Sequence, residues 1–308
     1  MYSIRVAASS DLDEVVALLA RLQAEPAHHI AYHGQSAEEI AGELTALHPE
    51  WTAGTVLATD PTGRVRGVLA VEVASPTGPA RLHGPYVDLP ANHPAAERLW
   101  QQTADGLLDR ALLLPALAGV GQLTLCGHRQ HRLLADFAAR HDFRTGVTRR
   151  VFVLTGPALR AVLVRGREST VDSAVWVPPA GHPLAAEVVR LHERSFPRAP
   201  VTGRQLIAGE HGHTVAVLAA PDGLIGYAAG HARDGELSVD LVAVDPNRRS
   251  RGAGRALVRG LLRELAVRHG ARARAVAVVA LGNDAAERMC AALGFTLHLE
   301  LVGYRRTA

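Results

Sequence analysis

The amino-acid sequence predicts an α/β (α+β) protein built from two tandem copies of one domain, and three observations carry that reading. The chain has 308 residues, about twice a usual domain length. One order of signals, from strand and helix through a hairpin to a further strand and a long helix, runs through it twice. The two passes align without gaps around a single turn, Val87-Asp88-Leu89-Pro90-Ala91-Asn92 against Val244-Asp245-Pro246-Asn247-Arg248-Arg249.

In the first copy Ile4–Val6 reads as a short strand. Val15, Val16, Leu18, Leu19 and Leu22 then recur at helical spacing over Asp11–Leu22. VLATD, PTGRVRG and VLAVEV follow, two β-rich runs around a glycine-bearing turn. In the second copy Leu184–His192 is the helix, and TVAVLAA, PDG and LIGYAAGHA make the hairpin. Each copy closes with a strand, a short helix and a terminal β run, so that LLADFAARHDF (133–143) parallels AERMCAALGF (286–295). The periodic pattern lapses near 156–170. The expected domains are therefore 1–155 and 170–308, with a linker at 156–169.

Composition excludes several classes. Hydrophobic residues make up 48% and charged residues 20%, which is ordinary globular usage and not that of a disordered chain. Two cysteines, Cys126 and Cys290, are too few for a disulfide scaffold or a cysteine-rich zinc module, and they fit a reducing compartment. All 33 basic residues are Arg, but the net charge is only +3 and aromatics are 4%, so no basic stripe with stacking platforms points to nucleic acid. The N-terminus lacks a cationic segment followed by an apolar run. The apolar stretches Ala111–Gly121 and Ala275–Gly282 fall short of the roughly 20 residues that span a bilayer. A cytoplasmic protein with no membrane partner is expected.

The segment ELSVDLVAVDPNRRSRGAGRALVRGLLREL is the richest in chemistry. The strand Val239–Val244 is stopped by Asp245-Pro246, because proline donates no ladder hydrogen bond. Arg249-Ser250-Arg251-Gly252-Ala253-Gly254 then opens into a helix whose apolar face is Leu257, Leu261, Leu262 and Leu265, with Gly270 as its stop. Strand, glycine turn and helix N-terminus together make an anion site, since amides and helix dipole both favour negative charge there. It is not a dinucleotide fingerprint, which needs a third Gly at 257. Nor is it a P-loop, which needs a Lys the chain lacks.

Val242-Ala243-Val244-Asp245-Pro246 followed by Arg249-x-x-Gly252-x-Gly254 resembles the acetyl-CoA motif of GCN5-related N-acetyltransferases. A second signature of that family is Asn283-Asp284-Ala285-Ala286 leading to Leu293-Gly294-Phe295. The resemblance covers most of 170–308, while the first half shares the layout alone. It implies two tandem domains, each with a mixed, mostly antiparallel central sheet flanked by helices. It also implies an N-acetyltransferase that moves an acetyl group from acetyl-CoA directly to an amine, with no covalent enzyme intermediate and no metal; a second packed domain, which would enclose the cleft, favours a small-molecule amine over a protein. Backbone groups of Val242, Ala243 and Val244 would pair with the pantetheine arm, amides from Arg249, Ser250, Arg251, Gly252, Ala253 and Gly254 would hold the pyrophosphate, and Asn283 would contact the cofactor. A mycothiol-synthase-like enzyme and a non-catalytic acyl-CoA sensor or scaffold remain open alternatives. The oligomeric state is not indicated.

An amine with a reference pKa near 10 must lose a proton before attack, so a general base is required. Glu236 and Asp240 share the strand parity of Val242 and Val244 and are the candidates. The family's Tyr, the general acid for the leaving thiolate, is replaced by Cys290, either a thiol acid or a core residue, with Tyr304 a possible substitute. The acceptor pocket is expected near His192, Glu193, Phe196, His211 and His213. His28, His29 and His33 make at best a weak metal pattern. In the first half, Asn92, Ala95 and Glu97 replace Arg249, Gly252 and Gly254. A carboxylate there would repel phosphate, so residues 1–155 are expected to be a degenerate copy that binds no acetyl-CoA.

Overall fold

The structure is a computed structural model that describes residues 2–31, 33–34, 36–73, 78–89, 94–164, 174–197, 199, 201–233, 235–248 and 252–307. Its first elements are β1 (Ser3–Val6), α1 (Leu12–Gln23), α2 (Ala37–Thr45), α3 (Trp51–Gly54), β2 (Thr55–Thr59), β3 (Val65–Glu72), β4 (Ala80–Val87), α4 (Ala96–Leu112), β5 (Gln122–His128), α5 (Arg132–Arg140) and β6 (Arg144–Thr155). There follow α6 (Gly156–Val164), β7 (Val175–Trp176), α7 (Leu184–Ser195), α8 (Gly203–Ile207), β8 (Thr214–Ala220), β9 (Gly223–Arg233), β10 (Glu236–Val244), α9 (Ala253–His269), β11 (Arg274–Ala280), α10 (Asp284–Leu293) and β12 (Thr296–Thr307).

The chain divides into two units, Met1–Thr148 with Glu300–Ala308, and Arg149–Leu299. This partition differs from the expected 1–155, 156–169 and 170–308. Arg149–Thr155 of β6 pairs antiparallel with β11, from Arg149↔Ala280 to Thr155↔Arg274, and so belongs to the second unit. Residues 156–164 of the expected linker form α6, which buries Leu159 and Val162. At the C-terminus, Leu301–Thr307 of β12 pairs antiparallel with β5 and brings Val302 and Tyr304 into the first unit's core. A strand is placed by the free edge it completes and the apolar face it buries, neither of which depends on closeness in sequence.

Both units have the same strand order. The first runs β1-β2-β3-β4-β5-β12, antiparallel except where Ala80–Leu82 of β4 runs parallel to β5. The second runs β7-β8-β9-β10-β11-β6, antiparallel except at β10 and β11. Each is thus a mixed, mostly antiparallel sheet flanked by helices.

In the second unit the sheet buries both faces, as period-2 alternation requires. Ala216, Leu218 and Ala228 face the core shared with α9 and α10, while Val215, Val217, Tyr227 and Ala229 face the one shared with α7 and α8. Leu257, Leu261, Leu262 and Leu265 of α9 are fully buried, as the stripe predicts, each worth roughly 2 kcal/mol of apolar transfer. Among the described residues, no helix is long and apolar enough to cross a membrane.

Candidate active site

Strands β10 and β11 pair from Glu236↔Arg274 to Val239↔Ala277 and then separate. Beyond that point β10 keeps only β9, and β11 keeps only β6, among the described residues. The backbone edge of Val242, Ala243 and Val244 is left facing the gap. A turn at Pro246–Arg248 leads towards α9; Arg249, Ser250 and Arg251 lie outside the described residues. Gly252 is the N-cap of α9 at φ 110°, a left-handed conformation that favours glycine. Ala253 and Gly254 open the helix with amides that have no intrahelical acceptor, and the first turn carries no acidic residue. A Cβ on Gly254 would sit 3.0 Å from the Met289 sulfur, so this glycine also lets α9 approach α10. Asn283 caps α10, its side-chain oxygen accepting from the Ala286 amide at 3.2 Å.

The acid–base side depends on a register shift. Val239 pairs with Gly230 and Leu241 with Ala229, which leaves Asp240 as the extra residue of a β-bulge. The bulge inverts the alternation, so the expected shared parity fails. Val242 and Val244 pack with Leu237 and Val239 on the α9 side, whereas Leu241 and Ala243 pack on the α7 side. Glu236 and Asp240 therefore do not share a face with Val242 and Val244.

Asp240 is the centre of a polar cluster. His231 Nδ1 donates to its Oδ2 at 2.6 Å, the Ser238 hydroxyl donates to its Oδ1 at 2.6 Å, and His213 Nε2 lies 3.4 Å from Oδ2. Burial pushes the Asp240 carboxyl up, but the hydrogen bonds from His231 and Ser238 and the charge of the two imidazoles outweigh it and hold the carboxyl below its ordinary value. His231 Nε2 is buried and has no hydrogen-bond partner. The cluster opens into a cavity of about 580 Å³, lined also by Val201, Gly212, Arg233 and Leu241. Glu236 is instead tied to the neighbouring strand, its Oε2 accepting from Arg274 Nε at 3.0 Å.

The remaining sequence candidates go elsewhere. Cys290 is buried in the core with Leu257 and Leu293, and burial, with Glu287 nearby, pushes its thiol up to about 11. Tyr304 belongs to the first unit's core, paired with Leu125. Glu193 accepts from the Gly203 amide at 2.8 Å and joins α7 to α8. His192 is buried between the Tyr227 hydroxyl at 2.7 Å and the Val201 carbonyl at 2.9 Å, with the Phe196 ring tilted against it at 5.6 Å between centroids. His211 falls on the turn Glu210–Gly212.

In the first unit, His28 faces Glu25, His29 bonds the Gln23 carbonyl, and His33 joins a buried relay in which its Nε2 lies 3.2 Å from His83 Nδ1. These three histidines do not converge. The His213–Asp240 and His231–Asp240 contacts have no local signal in the sequence, because they join the start of β8, β9 and the bulge of β10.

Residues 185–295 match the acetyltransferase (GNAT) family. Over its whole length the chain resembles a GCN5-related N-acetyltransferase from Sphaerobacter thermophilus, with TM-score 0.66 and 19% identity, covering 99% of this chain and 95% of that one. It also resembles a tandem GNAT protein from the clavulanic acid biosynthesis pathway, with TM-score 0.59, 18% identity and coverage of 100% and 98%. A third likeness is to a glucosamine N-acetyltransferase region of a fungal multi-domain GH3 β-N-acetylglucosaminidase, with TM-score 0.61, 14% identity and coverage of 99% and 38%. At these identities the likeness is one of fold. No curated protein sequence matches the chain.

Proposed function

Residues 185–295 are a domain of the GNAT acetyltransferase family, and from that premise we propose that the chain moves an acetyl group from acetyl-CoA directly to a primary amine of a small molecule. The Arg149–Leu299 unit performs the reaction, in the cytoplasm, and the other unit binds no acetyl-CoA. The observation that carries this reading is the gap opened where β10 leaves β11, with the Gly252-capped end of α9 following it in the chain.

In this reading the exposed edge of Val242, Ala243 and Val244 pairs with the pantetheine amides as another strand would. The first-turn amides of α9, together with Arg249, Ser250 and Arg251, hold the pyrophosphate. Asn283 lies at the strand–helix turn towards the cofactor. The acceptor amine enters the cavity beside Asp240. The Asp240 carboxylate keeps the His231 proton on Nδ1, so Nε2 carries the lone pair that takes the ammonium proton, directly or through one water. The free amine then attacks the thioester carbonyl and the CoA thiolate leaves, taking its proton from water or from the acylated amine. Glu236, held by Arg274, and Cys290, buried with a raised thiol, take no part.

The test is CoA-thiol release from acetyl-CoA across a panel of small primary amines. Release that depends on the amine, with a matching mass gain of one acetyl group on it, is expected. Binding of acetyl-CoA without release on any amine would leave the chain a binding protein and end the enzyme reading.

A further inference from the structure

We propose that His213, His231 and Asp240 form a site for a divalent first-row transition-metal ion of the zinc class, and that an ion there shuts off the proton acceptor; only the second clause rests on the acetyltransferase reading. One ligand atom from each residue lies within 4.8 Å of the others. Metal–ligand bonds of about 2.0–2.2 Å place neighbouring ligand atoms roughly 3–3.5 Å apart; His213 lies 3.4 Å from Asp240 Oδ2, within that range, and His231 lies at 2.6 Å, a hydrogen bond that an entering ion would replace and widen. Two imidazoles and a carboxylate without a thiolate suit Zn²⁺ and its neighbours rather than soft Cu(I).

The surroundings are those of held ligands. His213 immediately precedes β8, His231 lies on β9 and Asp240 on β10, so three adjacent elements of one sheet fix the three side chains. His213 Nδ1 donates to the Glu210 carbonyl at 3.1 Å, which turns the other ring nitrogen, Nε2, towards the Asp240 carboxylate at 3.4 Å. The Ser238 hydroxyl holds the other Asp240 oxygen, as outer-shell donors do around ligating carboxylates. Ligation through His231 Nδ1 displaces the proton that nitrogen shares with Asp240 and leaves the ring's N–H on Nε2, which is buried and has no other partner. The adjoining cavity supplies an entry path and room for water to complete the coordination. A bound ion occupies the carboxylate and imidazole that would receive the amine's proton, so the acceptor stays an ammonium and does not attack.

The test uses the untagged full chain, freed of metal by chelation. Calorimetry with Zn²⁺ and an optical titration with Co²⁺ are expected to show one ion per chain. His213→Gln, His231→Asn and Asp240→Asn should each weaken it by roughly 100-fold or more, while Ser238→Ala costs roughly tenfold. Melting of the metal-free variants separates loss of a ligand from loss of the fold. Absence of binding at millimolar metal, or equal binding by wild type and all three ligand variants, would overturn the site. Acetyl-CoA affinity, measured in parallel, should be the same with and without zinc, and amine acetylation should stop at one equivalent and return with chelator. Full turnover of the zinc-loaded chain would overturn the inhibition while leaving the site standing. Zinc binding by a chain that binds no acetyl-CoA would instead count against the acetyltransferase reading alone.

Discussion

The two units repeat a strand order and two capped helices, and the chemistry at the first of those caps is opposite. Ala95 and Gly252 occupy the same N-cap position, but Ala95 has φ −115° and is followed by Glu97 in the first turn, whereas Gly252 has φ 110° and is followed by no acid. The second helix is instead alike in the two units. His131 and Asn283 each cap it with a side-chain acceptor, to Leu134 and Ala286 respectively, and Phe143 and Phe295 each return an amide to a helix carbonyl, on Ala138 and Cys290. Four residues before Val87 and Val244, the strands carry His83 and Asp240. His83 is buried in a relay with His33 and Glu72; Asp240 faces a cavity. The fold tolerates both versions of each site because caps and strand pairing use backbone groups. An anion site needs in addition a left-handed glycine and no competing carboxylate.

Substitutions at matched positions can break this comparison. The largest effect is expected at the strand position: Asp240→Asn should lower kcat by about 10²–10⁴-fold with acetyl-CoA affinity intact, while His83→Asn leaves turnover unchanged. Equal losses from the two, read by steady-state kinetics, would remove the distinction. At the first cap, Gly252→Val forces a β-branched residue into left-handed backbone at about 2 kcal/mol, or roughly 30-fold in acetyl-CoA affinity. Ala95→Val, at an ordinary φ, should leave that affinity alone; calorimetry on both variants decides.

The smallest effect is on pH dependence. Burial, with His28, His29 and His128 nearby, brings the His131 imidazole down to about 3, against an ordinary value of 6.5. Between those values the unfolded chain takes up a proton that the folded unit refuses, so this stability is full above pH 6.5 and is lost as pH falls towards 3. His131→Asn, which copies the Asn283 cap, should flatten the fall of the melting temperature between pH 6.5 and 4. An unchanged slope would show that another group titrates there.

Much of the fold was legible where the signal is local. The α1 stripe, both hairpins, the leucine face of α9 and the caps at Gly252 and Asn283 follow from periodicity, glycine and side-chain chemistry within a few residues. The destinations of β6 and β12 were not, because each completes a sheet edge built from residues far away in sequence. The same reason moved Tyr304 out of the candidate site and into the first unit's core. The bulge at Asp240 has no signature in the sequence, yet by inverting the strand's alternation it separated Asp240 from Val242 and joined it to His213 and His231. Glu236 and Cys290 looked reactive by type and position, but the Arg274 contact and the α9–α10 core, both tertiary, decide their roles.

The contrast between the two helix ends is tested most directly by calorimetric titration of the full chain with acetyl-CoA, read as sites per chain. One site is expected, weakened roughly 30-fold by Gly252→Val and unchanged by Ala95→Val. Two sites, or one whose affinity Gly252→Val leaves unchanged, would contradict it.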